Sequence, residues 1–303
     1  MINSLILLII SIIFSPFFSG LILKVKAFFA GKKGPPVLIH YYTLIKLFKK
    51  GSVYSKSTTY IFKLAPIVTL GVSITSLMFF PFSGYKSVFA FEGDIIMILY
   101  LFGTARFFTI LAALDTASPF EGMGAAREAY FAIFAEASLF MILIFFSLLN
   151  KSLSFSDILL GENAMSLWKA SGVSILFIII SLFMILLVEN TRVPIDDPAT
   201  HLELTMIHEV MILDHSGPDL ALIELGASFK LLFYSSFITC LVFPFKFQSQ
   251  LLNVLCFFII LSLVYMFIGI VESVIARYKM DKIPKFILSS FALAVFATIF
   301  IWR

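Results

Sequence analysis

The segment VENTRVPIDDPATHLELTMIHEVMILDHSGP, residues 188–218, concentrates groups that exchange protons or bind cations. From Glu189 to Glu224 stand eight carboxylates, three of the chain's four histidines and a single base, Arg192. A metal site is one chemistry for such a set, but the spacing opposes it. His208-Glu209 is followed at position 212 by isoleucine, so the helical H-E-x-x-H pair is absent. His201 and His208 are seven residues apart and would straddle two helical turns. No metal ligands are expected. A solvated acidic loop, a proton-collecting funnel and a docking surface for a redox partner stay open.

The surroundings of this segment are lipid-like. The 303 residues are 60% hydrophobic and 13% charged, with mean hydropathy +1.04, whereas soluble domains carry about 25% charge. Unbroken apolar runs of about twenty residues indicate spanning helices, and they do not alternate as barrel strands would. The fold class expected is therefore an all-α integral membrane protein. Spans fall near 2–23, 61–82, 94–113, 128–149, 172–190, 224–243, 251–275 and 284–302. The first lacks a basic leader and a small-residue cleavage site, so it reads as a retained helix.

Eight spans sort the loops into two sets. Loops 24–60, 114–127, 191–223 and 276–283, with Lys63 and Lys285 beside them, hold fifteen lysines and arginines; the opposite side holds five. The positive-inside rule places the richer set in the cytoplasm and both termini outside. Residues 1–303 form one membrane domain without repeat or linker, so redox or nucleotide chemistry would need partner subunits. Cys240 and Cys256 sit in apolar runs as small hydrophobes, and no iron–sulfur or haem spacing is present.

Charges inside spans are costly, about 2.5–3.5 kcal/mol each on insertion scales, and usually functional. Arg106, Glu136, Lys230 and Glu272 lie within spans, with Asp94, Glu189 and Glu224 near span ends. Glu136 follows Arg127 by nine residues, which puts it about 13 Å into a core about 30 Å thick. It must be protonated, hydrated or paired there. Asp94 reads as snorkelling to the interface, and Glu121 as part of a solvated loop in which Ser118-Pro119 and Gly122-x-Gly124 break the helix.

Two loop helices are expected. Leu38, Tyr41, Ile45 and Phe48 recur at helical spacing among Lys46, Lys49 and Lys50, as in an interfacial helix. Asp197 before Pro198 is an N-cap with an N1 proline, which predicts a helix over about 198–213 carrying His201, Glu203, His208 and Glu209, closed by Asp214 and Ser216-Gly217-Pro218.

Three separated stretches then carry a family resemblance: GKKGP after span one, GAAREAYFAIFAE at span four and VENTRVPIDDPATHLE after span five. The chain resembles the NuoH-type membrane subunit (subunit 1) of respiratory complex I and of membrane-bound hydrogenases. ARFFTILAALDTASPFEGMGAAREA and HLELTMIHEVMILDHSGPDLALIELGASFK are most similar to the hydrogenase-4 and formate hydrogenlyase branch. The resemblance implies a non-catalytic subunit without a cofactor of its own, in a prokaryotic inner membrane. It implies hydrogenase-like large and small subunits, an iron–sulfur subunit and antiporter-like membrane subunits as partners, with iron–sulfur clusters and a nickel–iron site in those partners and no nucleic acid. A quinone belongs to the complex I alternative.

Arg127 and Glu136 resemble the Arg and Glu of the fourth-span motif, and Glu189, Arg192, Asp196 and Glu203 the charged set of the third cytoplasmic loop. Asp197-Pro198 and the His201, His208, His215 set depart from the complex I pattern and weaken transfer of its quinone site. The expected proton- or ion-coupling set is thus Glu136, Glu189, Glu203, Arg127, Asp196, Glu224, Lys230, Glu272 and Asp115. The expected docking or cavity set is Arg192, Asp197, His201, His208, Glu209, Asp214, Lys32 and Lys33.

Overall fold

The computed structural model describes residues 2–160, 163–196, 206–244 and 247–301. Among them are eleven α-helices: α1 (Ile2–Phe29), α2 (Ile39–Phe48), α3 (Tyr60–Met78), α4 (Asp94–Asp115), α5 (Pro119–Asn150), α6 (Phe155–Leu160), α7 (Asn163–Glu189), α8 (His208–Met211), α9 (Pro218–Val242), α10 (Gln250–Val274) and α11 (Ile283–Ile301). Eight are long and apolar enough to cross a membrane, α7 doing so from a break at Ser171 onward. The protein is a multi-pass membrane protein, and the expected spans are borne out with shifted ends. α1 and α5 are longer than one core thickness, about 42 and 48 Å, so each carries charged residues beyond the apolar layer.

Helices whose outer faces meet lipid are apolar all round, so packing is decided by small and hydroxyl residues rather than by an apolar stripe. α9 is the hub: it is packed by α1, α2, α3, α7 and α10, and its core window is 67% buried against 28–50% for the other spans. Ser15 of α1 donates to the Ser228 carbonyl of α9 at 2.8 Å, and Ser181 of α7 to the Ser290 carbonyl of α11 at 2.8 Å. Each hydroxyl thereby crosses between helices without leaving a polar group in hydrocarbon.

The loop after α1 turns back along that helix. Tyr41 Oη donates to the Ile13 carbonyl, and the Val37 carbonyl lies so near Gly20 that a Cβ there would stand 1.8 Å from it. α2 is present as expected, but its anticipated stripe faces outward: Leu38, Ile45 and Phe48 are exposed, while Leu44 and Leu47 pack on Ala221.

Three local expectations are corrected. Asp94 is buried rather than snorkelling, because its carboxylate accepts from Phe155 N at 2.8 Å and Ser154 Oγ at 3.0 Å and so ties α4 to α6. Glu121 is buried rather than solvated, because α5 already begins at Pro119 and Gly122-Met123-Gly124 is helical. The helix expected over about 198–213 is reduced within the described residues to His208–Met211, preceded by non-helical Met206 and Ile207. Asp196 takes the backbone N–H groups of Ile207 and His208 there, at 2.9 and 3.2 Å, and so caps a later and shorter turn. Asp197, Pro198, His201 and Glu203 lie outside the described residues.

Candidate functional site

α4 carries Arg106 into the middle of the bundle, where α5 and α7 aim carboxylates at it and α9 adds a second base. Its Nη1 pairs with Glu136 Oε1. Its Nη2 meets Glu189 Oε1 at 2.5 Å and Oε2 at 2.7 Å, and Nε stands 3.3 Å from Glu128. Lys230 completes the chain, with Nζ 2.8 Å from Glu189 Oε2 and 5.7 Å from the centre of the Phe102 ring. Burying isolated charges in hydrocarbon is prohibitive, but a mutually paired set survives there. Three carboxylates against two bases leave a formal excess of one negative charge, which one proton neutralises.

Exposure grades this chain. The Glu189 side chain is 1% exposed and that of Glu136 is 44% exposed, on the lateral face of the bundle. Three cavities follow the same gradient. A 350 Å³ cavity under the loops is lined by Arg192, His208, Glu209, His215 and Glu224. It shares Asn190, Thr191, His208, Ile223 and Ala227 with an 80 Å³ cavity that reaches Arg106, Glu128, Glu189 and Lys230. That one shares Phe102, Arg106 and Glu189 with a 290 Å³ cavity opening beside Glu136, Tyr100 and Phe140.

The loop roofing the first cavity is held by buried ions. Asp196 Oδ1 accepts from Arg277 Nη2 at 2.8 Å, while Tyr278 N donates to the Pro194 carbonyl at 2.8 Å. Arg127 Nη1 donates to the Met206 carbonyl at 2.8 Å, and Glu121 Oε1 accepts from Asp214 N at 3.1 Å. Gly124 lets α8 rest on α5, because a Cβ there would stand 2.3 Å from Val210 Cγ1 and 2.9 Å from the Ile207 carbonyl.

The expected residues therefore separate. Glu136, Glu189 and Lys230 meet at Arg106. Glu272 stands apart between Lys26 at 3.0 Å and Arg192 at 3.5 Å. Asp196 and Arg127 hold loop backbone, and Asp214 is itself held through its backbone N–H by Glu121. Asp115 accepts from Thr59 N at 2.6 Å and Thr59 Oγ1 at 2.9 Å at the start of α3. Glu224, His208 and Glu209 wall the 350 Å³ cavity, Glu224 without an ion pair among the described residues. Lys32 and Lys33 rim a separate groove. Arg106, Glu128, Lys26 and Arg277 are the partners absent from the expected site. Only Arg106 had a signal in the sequence, as a base alone in an apolar span.

No group of three His, Cys, Asp or Glu side chains converges as a metal set among the described residues. Burial instead holds the loop imidazoles neutral. It pushes His208 below its ordinary value, opposed by Glu128. It takes His215 down to about 4, opposed by Asp219, with the ring stacked 3.9 Å from that of Phe62. Because the folded value of His215 lies below the unfolded value near 6.5, its burial favours folding fully above that value. The contribution is lost as pH falls from about 6.5 towards 4, on the order of 3 kcal/mol in all. Hydrogen exchange at the amides of 206–217, corrected for intrinsic rate, is expected to rise across that window and to rise less in His215→Gln, where His208 alone still titrates against burial.

Against known proteins, the family model described as NADH dehydrogenase matches residues 2–303. The chain belongs to this family. Within it, hydrogenase-4 component C of Escherichia coli K12 is 28% identical over 299 residues, covering 96% of this chain and 93% of that one. Formate hydrogenlyase subunit 4 of the same organism is 27% identical, with 93% and 92% covered. An NADH-quinone oxidoreductase subunit of Pelagibacter ubique is 26% identical, with 86% and 81% covered. A chain in the structure of the membrane-bound sulfane sulfur reductase, an archaeal respiratory membrane complex, shares the fold at TM-score 0.83 and 20% identity, covering 99% of this chain and 98% of that one. The resemblance read from the three motifs is borne out. The chain is a membrane subunit whose homologues belong to multisubunit oxidoreductase complexes.

Proposed function

We propose that this chain anchors the soluble arm of a hydrogenase- or formate hydrogenlyase-type complex and couples electron transfer there to ion movement in adjoining antiporter-like subunits. The observation that carries this reading is the run of three wall-sharing cavities, with the Arg106–Glu189 pair in the wall between the 80 Å³ and 290 Å³ cavities. A proton collected beneath the loops by Glu209 or Glu224 meets a cluster one proton short of neutrality. Glu189 is paired with both Arg106 and Lys230, so the proton settles instead on Glu136, at the exposed end of the cluster, and loosens its hold on Arg106. Glu136, half-exposed on the lateral face, is the member positioned to pass the change to a neighbouring subunit. The charged residues of loop 191–223 transmit the state of the arm, because Asp196 and Arg127 tie that loop to α5 and to the segment after α10. The loops face the cytoplasm in this reading, supported by their excess of lysine and arginine.

A second reading keeps the fold and places a quinone headgroup in the 350 Å³ cavity, whose size and mixed lining suit a small ligand. Isolating the intact complex separates the two. Nickel in the preparation, with hydrogen evolution and hydrogenase-like subunits co-purifying, is the expected result. Quinone-dependent activity without nickel replaces the first reading with the second.

A further inference from the structure

The first 91 residues contain no aspartate or glutamate; Glu92 is the earliest. The lysines at the end of α1 and just after it therefore find no counter-charge in their own stretch of chain. Lys26 is compensated by Glu272 at 3.0 Å. Lys24, Lys32 and Lys33 are exposed and have no carboxylate partner among the described residues; the Lys24 ammonium donates to the Lys33 carbonyl at 2.8 Å. A close fit holds them together. Gly31 and Gly34 take positive φ of 67° and 64°, and a Cβ at Gly34 would stand 2.4 Å from that of Ala27, so the turn lies flat on α1.

These three lysines rim a groove of 650 Å³ between α1 and α10, walled by Phe28, Phe29, Met266 and Ile270. Both helices span the membrane, and the groove sits at their loop-bearing ends, where hydrocarbon gives way to headgroups. An apolar slot with unpaired ammonium groups at its polar end matches one kind of molecule: an acyl chain ending in a phosphate diester. We infer that the groove is a binding site for an anionic phospholipid, with its phosphate among Lys24, Lys32 and Lys33 and a chain against Phe28, Phe29 and Met266. This inference is independent of the coupling role proposed above.

The test uses the intact complex in phosphatidylcholine nanodiscs containing a photoactivatable phosphatidylglycerol, with crosslinks mapped by mass spectrometry. Labelling is expected within residues 24–33 and 266–270, competed by unlabelled phosphatidylglycerol but not by inorganic phosphate. The Lys24→Gln/Lys32→Gln/Lys33→Gln variant is expected to lower it by about ten-fold, the corresponding arginine variant to retain it, and Lys46→Gln/Lys49→Gln to leave it unchanged. Equal labelling by a phosphatidylcholine probe would show an unselective lipid-facing surface and overturn the inference. So would competition by inorganic phosphate, which marks a free-anion site, or occupation of the groove by a neighbouring subunit's peptide. Competition on the unaltered protein decides the matter even where the glutamine variant does not fold.

Discussion

Arg106→Ala is expected to remove most of the folded protein from the membrane. The substitution leaves Glu189, Glu136 and Glu128 facing one another with only Lys230 to offset them. Breaking one side of a buried ion network costs about 3–5 kcal/mol, a large share of a total stability of about 5–15 kcal/mol. Size-exclusion profiles in mild detergent are expected to show loss of the monodisperse peak and a lower melting temperature. Arg106→Lys keeps the charge but not the fork that reaches Glu136 and both oxygens of Glu189, so it falls between alanine and the natural residue. Arg106→Ala/Glu189→Gln removes one of the stranded carboxylates and is expected to recover part of the loss. Failure of that pair to recover anything would mean that Arg106 acts through packing rather than charge.

Asp196→Ala has the next largest expected effect, and a more local one. Asp196 is buried and satisfies three donors: Arg277 at 2.8 Å and the backbone N–H groups of Ile207 and His208. Alanine takes the acceptor from two amides and one ion-pair partner from Arg277 under the loop, again about 3–5 kcal/mol by the cost of breaking a buried pair. The membrane bundle itself is expected to persist. What opens is the segment 206–217, read as faster hydrogen exchange at the Ile207 and His208 amides and as new protease sensitivity. Asp196→Asn retains an acceptor for the amides but not the charge opposite Arg277, so its effect is smaller. The complex carrying Asp196→Ala is expected to bind its soluble arm weakly, since that loop is the proposed junction.

The bundle is readable from the chain because the bilayer imposes its own length rule: about twenty apolar residues per crossing, whatever their order. The in-span charges stand out for the same reason, as exceptions to an apolar background. Their pairing is another matter. Arg106 meets Glu189 across 83 residues of sequence and Glu136 across 30, and no local spacing encodes either contact. Arg277 and Asp196 are likewise 81 residues apart. Local rules also misplace residues whose partners are distant. Asp94 follows Gly93 at the start of α4 like any helix-end acid, yet its ligands come from Ser154 and Phe155. Asp197-Pro198 has the form of a helix start, while Asp196 beside it gives its acceptors to amides ten or more residues later. The outward stripe of α2 shows the limit of amphipathic reasoning in a membrane. An apolar face there has two destinations, protein and lipid, and periodicity alone does not choose between them.

In the proposed mechanism the Arg106 cluster relays a proton to the lateral face through Glu136. Glu136→Gln removes the carboxylate but keeps its size and a polar contact for Arg106. The decisive measurement is ion movement per electron by the whole complex in sealed vesicles, followed with a pH-sensitive dye while redox turnover is recorded in parallel. Assembly and redox turnover are predicted to persist, and coupled ion movement to fall by at least about ten-fold. An unchanged ratio of ions to electrons in Glu136→Gln would contradict the account.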